Sequence, residues 1–285
     1  MLERQPSRTA LAVAGHRAAH QVLDEGRVFT DPLALTILGE DAKRAVETSR
    51  ANPSTGGMRF FVAARAAIAE TQLKTGVEAR GVGQLVVLGA GLDTFAYRNP
   101  FADRLAVFEV DHPETQAWKR RRLAETGVPI PASLNYAPVD FERDDLMAAL
   151  AVAGFDRARR TFFTWLGVVP YLTKPAIQES LSQIAAVAGG AEVVFDYSDP
   201  PGSLSKAAAA SHRERAKRVA ALGEPFLSYF EPAELHAQLG NLGLSEIEDL
   251  GPRALITRFH PGRKLPDDMG DTGGHVIFAA TRRIS

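Results

Sequence analysis

Between residues 84 and 198 the chain alternates apolar runs with amphipathic segments, and this alternation restricts the possible folds more than any other feature. The runs are "QLVVLGAG", "RLAVFEVD", "LNYAPVD", "RTFFTWLGVV" and "AEVVFDYS". Having little internal polarity, they suit strands buried on both faces, the usual condition of a parallel sheet. Between them, "PETQAWKRRRLAETG", "ERDDLMAALAVAG" and "KPAIQESLSQIAAVAGG" read as helices, each ending in glycine. Such alternation predicts an α/β fold with a largely parallel sheet.

The flanks differ from this core. Residues 8 to 25 and 31 to 38 read as helices, the second opening at "TDPLAL", where Asp31 can cap and Pro32 can take the first helical position. A longer helix follows in "GGMRFFVAARAAIAETQLKTG", with Phe61, Ala64, Ile68 and Leu73 on one stripe and Gly76 as its stop. Beyond residue 198 an alanine-rich helix (204 to 223) intrudes before "EPAELHAQLGNLG". The candidate strands "LSEIEDL" and "HVIFAATR", joined by a loop with prolines and glycines, complete the chain. No internal repeat is evident. A single domain is expected for 285 residues, with a helical cover over 1–80, a core over 84–198, a helical lid over 200–230 and a return to the core over 231–285.

Composition excludes several classes of function. There are no cysteines, so a disulfide framework, a thiolate metal site and a cysteine nucleophile are ruled out together. The formal net charge of −1 provides no long-range field for a polyanion, and nucleic acid is not an expected partner. No apolar run is long enough to span a bilayer, and "TALAVAG" is too short for a secretory core, so the expectation is a cytoplasmic protein without a membrane partner.

The most informative motif is "VVLGAGLDTFAYR", Val86 to Arg98. Glycines after a first parallel strand permit a tight turn and close approach of a ligand to the backbone. Gly89 and Gly91 supply the first two glycines of G-x-G-x-x-G, but the sixth position is Thr94. The third glycine serves helix packing near a pyrophosphate, so its absence favours an adenosine ligand lacking that group, such as S-adenosylmethionine. About twenty positions on, "FEVDHP" supplies Glu109 and Asp111 as candidate ribose acceptors. The alternative is an acid that caps the helix starting at Pro113. After the third strand, Asp140 could accept the adenine amino group while the Phe141 N–H donates to a ring nitrogen; otherwise Asp140 caps the next helix.

Read together, "VVLGAGLDTFAYR", "FEVDHPETQAWKRRRL", "VDFE", "LGVVPYL" and "FDY" resemble the leucine carboxyl methyltransferase family, most of all its bacterial branch of S-adenosylmethionine-dependent methyltransferases. The resemblance implies a class I methyltransferase fold, Rossmann-like, with seven strands of which the last is antiparallel. By matching positions it implies that Gly89 lies in the cofactor loop beside Gly91, and that Asp111 is the ribose acid. It likewise makes Asp140 and Phe141 the adenine pair and Arg65 of "FVAARAA" the residue holding the cofactor carboxylate. A guanidinium suits a carboxylate by its bidentate geometry, whereas Arg65 would otherwise read as a surface charge on a helix. Two positions depart from the family pattern. Leu166 stands where glutamate is usual, so another group must meet the cofactor ammonium, and Phe95 stands where arginine usually follows "GLDT". The acceptor pocket is expected to include Tyr171 and Tyr197, with the 204–223 helix as a lid.

Methyl transfer from a sulfonium needs chiefly positioning and desolvation. No general base stands out, which accords with a carboxylate acceptor, since that group is ionised at neutral pH. The expected activity is O-methylation of a carboxyl or hydroxyl on a small molecule or a chain-terminal carboxylate. The competing readings are a nicotinamide-dependent oxidoreductase and a non-catalytic cofactor-binding regulator. His16, His20 and Asp24 share a helical face with metal-ligand spacing but lack the glutamate of H-E-x-x-H, so no metal is expected. Lys119 to Arg122 fan around a helix and read as a solvated face.

Overall fold

The computed structural model describes residues 8–141, 143–266 and 269–282, and the chain divides into two units, Met1–Asp156 and Arg157–Ser285. All seven strands expected from the apolar runs form. In the first unit they are β1 (Gln84–Leu88), β2 (Ala106–Asp111) and β3 (Leu134–Pro138), paired in parallel. β1 is buried along its whole length, as a run without polar interruption requires. The second unit holds β4 (Thr161–Trp165), β5 (Ala191–Ser198), β6 (Leu244–Leu250) and β7 (Gly274–Thr281). β4 and β5 are parallel, and β7 runs antiparallel to both β5 and β6. Strand order is β3-β2-β1 in the first unit and β4-β5-β7-β6 in the second.

Four helices precede β1: α1 (Arg8–Leu23), α2 (Ala34–Leu38), α3 (Asp41–Ala51) and α4 (Gly56–Thr75). Ala14 and Ala18 of α1, Ile37 and Leu38 of α2 and Leu92 of the glycine loop share one apolar cluster, so the cover packs directly on the loop after β1. Small residues allow that approach. A Cβ on Gly15 would lie 3.2 Å from the Ala45 Cβ of α3. Gly76 does not stop α4 as expected, because its φ of −56° is helical. The chain instead continues as a π-turn through Arg80 and ends at Gly81, whose φ of 78° is left-handed.

Helix α5 (Pro113–Glu125) connects β2 to β3, and α6 (Leu146–Val152) follows β3. The second unit contains α7 (Lys174–Ala185), α8 (Lys206–Ala221), α9 (Pro232–Asn241) and α10 (Pro252–Phe259). The last occupies a stretch that the sequence suggested was loop. Its proline lies at the helix start, where a missing N–H costs nothing. No helix among the described residues is long and apolar enough to cross a membrane.

Candidate cofactor and acceptor sites

The first unit places four of the predicted cofactor positions, Gly89, Gly91, Asp111 and Asp140, at or just beyond the carboxyl ends of adjacent parallel strands, while Arg65 lies on α4 and Leu166 in the second unit. Leu88 pairs with Val110 and Asp111 with Pro138, so the glycine loop, Asp111 and the segment leading to Asp140 follow one another across three strand ends. The loop turns through left-handed backbone at Gly89 (φ 64°) and Gly91 (φ 47°), which glycine adopts at little cost. A Cβ on Gly91 would also meet the Ala10 Cβ at 3.3 Å.

Asp111 fixes this loop. Its Oδ2 accepts a short hydrogen bond from the Gly91 N–H, and its Oδ1 accepts from the His112 N–H at 2.7 Å. Burial raises the carboxyl above its ordinary value, and the two N–H donors oppose that rise. The helix cap before Pro113 is His112, whose Nδ1 accepts from the Glu114 N–H at 3.3 Å. Asp111 is therefore no helix cap. Nor is Asp140: the cap of α6 is Asp145, which accepts from the Ala148 N–H at 2.9 Å. Asp140 follows Val139, whose N–H continues the ladder to the Asp111 carbonyl at 2.9 Å, and Phe141 beside it is partly exposed.

Glu109, the other acid of "FEVDHP", turns inward. It is fully buried, ion-paired with Lys119 at 2.8 Å and accepts from Tyr97 Oη at 3.2 Å. Burial raises its carboxyl strongly, Lys119 opposing. This corrects the reading of Lys119 to Arg122 as solvated: Lys119 is 1% exposed and Arg122 is sheltered against Trp118, which leaves Arg120 and Arg121 on the surface.

The glycine loop is also held from the side of the cover. Asp31 is buried, accepts from Thr94 Oγ1 at 2.8 Å and lies 2.9 Å from Arg17 Nε and 3.5 Å from Arg98 Nε. Its Oδ1 accepts from the Leu33 N–H at 3.0 Å, but α2 starts only at Ala34 with Leu33 at its N-cap and no side-chain cap, so Asp31 closes the preceding turn and Pro32 lies outside the helix, contrary to the expectation from "TDPLAL". Arg17 donates a short hydrogen bond to the Leu92 carbonyl, and Arg98 grips Glu70 of α4 through both amino groups. Phe95 is buried, with the Arg98 guanidinium 5.7 Å from its ring. Arg65 is buried on α4, 5.9 Å from the Phe61 ring, and is no surface charge.

His20 serves structure. Its Nε2 accepts from the Val28 and Phe29 N–H groups, both at 3.3 Å, which leaves Nδ1–H to donate to Asp24 at 2.9 Å. No group of potential metal ligands occurs among the described residues.

In the second unit, Leu166 directly follows β4 and is partly buried. The next residue, Gly167, is left-handed (φ 74°) and donates its N–H to Asp196 Oδ1 at 2.6 Å. A carboxylate thus stands one residue beyond the leucine. Tyr171 packs its ring 5.3 Å from Phe226. Tyr197 is 1% exposed, and its hydroxyl is committed to Asp249.

Asp249 belongs to a buried cluster. His275 stacks on Tyr197 at 4.8 Å and is bound by Asp249 at Nδ1 (3.0 Å) and Asp199 at Nε2 (3.1 Å), while His236 reaches Asp249 at 2.8 Å. Burial alone would lower the His275 value, but the two carboxylates raise it above 6.5. Burial alone would raise Asp249, but hydrogen bonds from His275, Tyr197 and His236 bring it below 3.8. The raised histidine stabilises the fold fully below pH 6.5, and that contribution fades as pH rises through its folded value. The lowered aspartate stabilises above pH 3.8 and fades as pH falls through its own. Urea unfolding followed by Trp165 fluorescence is therefore expected to show greatest stability of this unit between these limits. His275→Gln should flatten the alkaline decline.

Residues 10–185 match the family model described as leucine carboxyl methyltransferase, a span that includes the glycine loop, Asp111, Asp140, Arg65 and Leu166. The chain belongs to the leucine carboxyl methyltransferase family. It is 32% identical over 292 residues to the Bacillus subtilis protein named "Putative S-adenosyl-L-methionine-dependent methyltransferase YktD", covering 93% of this chain and 94% of that one. A Mycolicibacterium paratuberculosis protein named as a methyltransferase of the same kind is 31% identical over 301 residues, covering 96% and 92%. Among solved structures, a Thermobifida fusca protein described as a methyltransferase superposes with a TM-score of 0.59 at 15% identity over 94% of both chains. A Streptomyces avermitilis family protein superposes at 0.55 with 14% identity, over 94% of this chain and 97% of that one. These two likenesses support the Rossmann-like methyltransferase fold.

Proposed function

We propose that this S-adenosylmethionine-dependent methyltransferase esterifies a carboxylate, on a small molecule or at a chain terminus. Membership of a carboxyl methyltransferase family is the observation that carries the reading. When bound, S-adenosylmethionine supplies an electrophilic methyl group on a sulfonium. Gly89 and Gly91 let the backbone approach it, Asp111 accepts its ribose hydroxyls, and Asp140 with the Phe141 N–H receives its adenine. Arg65 pairs with its carboxylate. None of these residues needs to move a proton, because an ionised acceptor is already nucleophilic at neutral pH. Transfer would form an O–CH3 bond at the acceptor as the methyl–sulfur bond breaks, with the bonding pair returning to sulfur and cancelling its positive charge.

At least four of the seven histidines have side-chain partners: His20, His236 and His275 are each bound to carboxylates, and His212 is bound to Tyr229 and Arg215. The reading is tested by incubating the protein with methyl-labelled S-adenosylmethionine and a metabolite extract, then treating the products with mild base. Release of the label as volatile methanol is expected from an ester. Label that resists base would assign the methyl group to a hydroxyl instead.

A further inference from the structure

Among the described residues, Arg215 on α8 is a sheltered cation without a carboxylate counter-ion. Its Cζ lies 5.9 Å from the Phe226 ring centroid and one amino group lies 3.4 Å from His212 Nδ1, while no carboxylate among the described residues lies within ion-pairing distance. Four other sheltered arginines each have one: Arg17 has Asp31, Arg59 has Asp24, Arg98 has Glu70 and Arg160 has Glu192. Removing a guanidinium from water without an anion is unfavourable, and burial holds Arg215 below its ordinary value despite Tyr171 and Tyr229 nearby. An incoming anion would reverse that cost.

The surroundings are built to receive one. His212 is buried, stacks on Phe226 at 5.6 Å and lies 3.0 Å through Nε2 from Tyr229 Oη. Burial, followed by Arg215, lowers its value, so the ring is neutral at pH 7. With Arg215 donating to Nδ1, the ring proton sits on Nε2 and donates to Tyr229, which leaves the phenol hydrogen as a further donor. Phe226 is held rigidly beside Tyr171, because Leu227 N–H donates to the Pro170 carbonyl at 2.7 Å and Ser228 Oγ to the Val169 carbonyl at 2.8 Å. A guanidinium fork, a phenol donor and two aromatic rings thus lie together in a fixed arrangement.

We propose that Arg215 and the Tyr229 hydroxyl recognise a carboxylate on the acceptor, with Tyr171 and Phe226 contacting the apolar body that carries it. The acceptor class is an aromatic or otherwise apolar carboxylic acid. This deepens the carboxylate reading above and rests on it for the acceptor's role, but the binding it describes is measured separately from methylation. Benzoate is the probe and benzamide its uncharged counterpart, titrated calorimetrically into the full chain with and without S-adenosylhomocysteine. Benzoate is expected to bind at least tenfold more tightly than benzamide. Arg215→Gln removes this preference and Arg215→Lys retains part of it, because a point charge replaces a fork, with S-adenosylhomocysteine affinity unchanged in both. Equal binding of the two probes by the unaltered protein, or a preference surviving in Arg215→Gln, would overturn the proposal. A benzoate preference accompanied by base-stable methyl products would remove the ester reading and leave the Arg215 site standing.

Discussion

Asp31→Ala is expected to cost the first unit about 3–5 kcal/mol of stability, the usual penalty for leaving a buried charge without its partner. Arg17 is 7% exposed, and once Asp31 is removed its nearest carboxylate is Asp93 at 3.8 Å. Thr94 loses the acceptor of its hydroxyl, and the Leu33 N–H in the turn before α2 loses its acceptor as well. Asp31→Asn should fall between the two, because it keeps the hydrogen-bonding shape but not the charge. The measurement is urea unfolding in a Trp165→Phe background, so that fluorescence reports Trp118 of the first unit, with the slope checked for constancy. A loss below 1 kcal/mol would mean that the cover does not hold the loop through this residue.

Asp111→Ala is expected to weaken S-adenosylhomocysteine binding about 100-fold. Two hydrogen bonds from ribose hydroxyls to a carboxylate are worth about 1.5 kcal/mol each, and about 1.4 kcal/mol is a factor of ten. The variant also frees the Gly91 N–H from its acceptor, so the loop loses its tether as well as its ligand contact. Asp111→Asn, which keeps one acceptor oxygen, should lose less. Because burial raises this carboxyl, binding should decline on acidification at a pH above the ordinary 3.8 of an aspartate. Calorimetric titration of the three proteins across pH decides the matter. An affinity unchanged by Asp111→Ala would remove the ribose assignment.

The strands and the position of Gly89 and Gly91 just after β1 were legible in the sequence because continuous apolar runs and glycines after a strand carry local signals. The α3 helix gave little such signal, since it buries only Ala42, Val46 and Ser49, and α10 lay hidden among prolines and glycines. The support of the loop was not legible. Asp31 meets Thr94 across 63 positions and Arg17 meets Leu92 across 75, and no periodicity links residues so distant. A hint was present in Arg17 standing on an alanine-rich helix face, where a charge needs a partner. Lys119 misled for a related reason: within "KRRR" its neighbours are solvated, and only the fold brings it to Glu109.

Hydrogen exchange with and without S-adenosylhomocysteine tests the central claim, that the Gly89–Gly91 loop and Asp111 hold the cofactor. The account predicts slowed exchange in peptides spanning 86–98 and 109–116 and at Phe141, and no such change with a nicotinamide dinucleotide. Protection confined to other segments, or none at these, would contradict it.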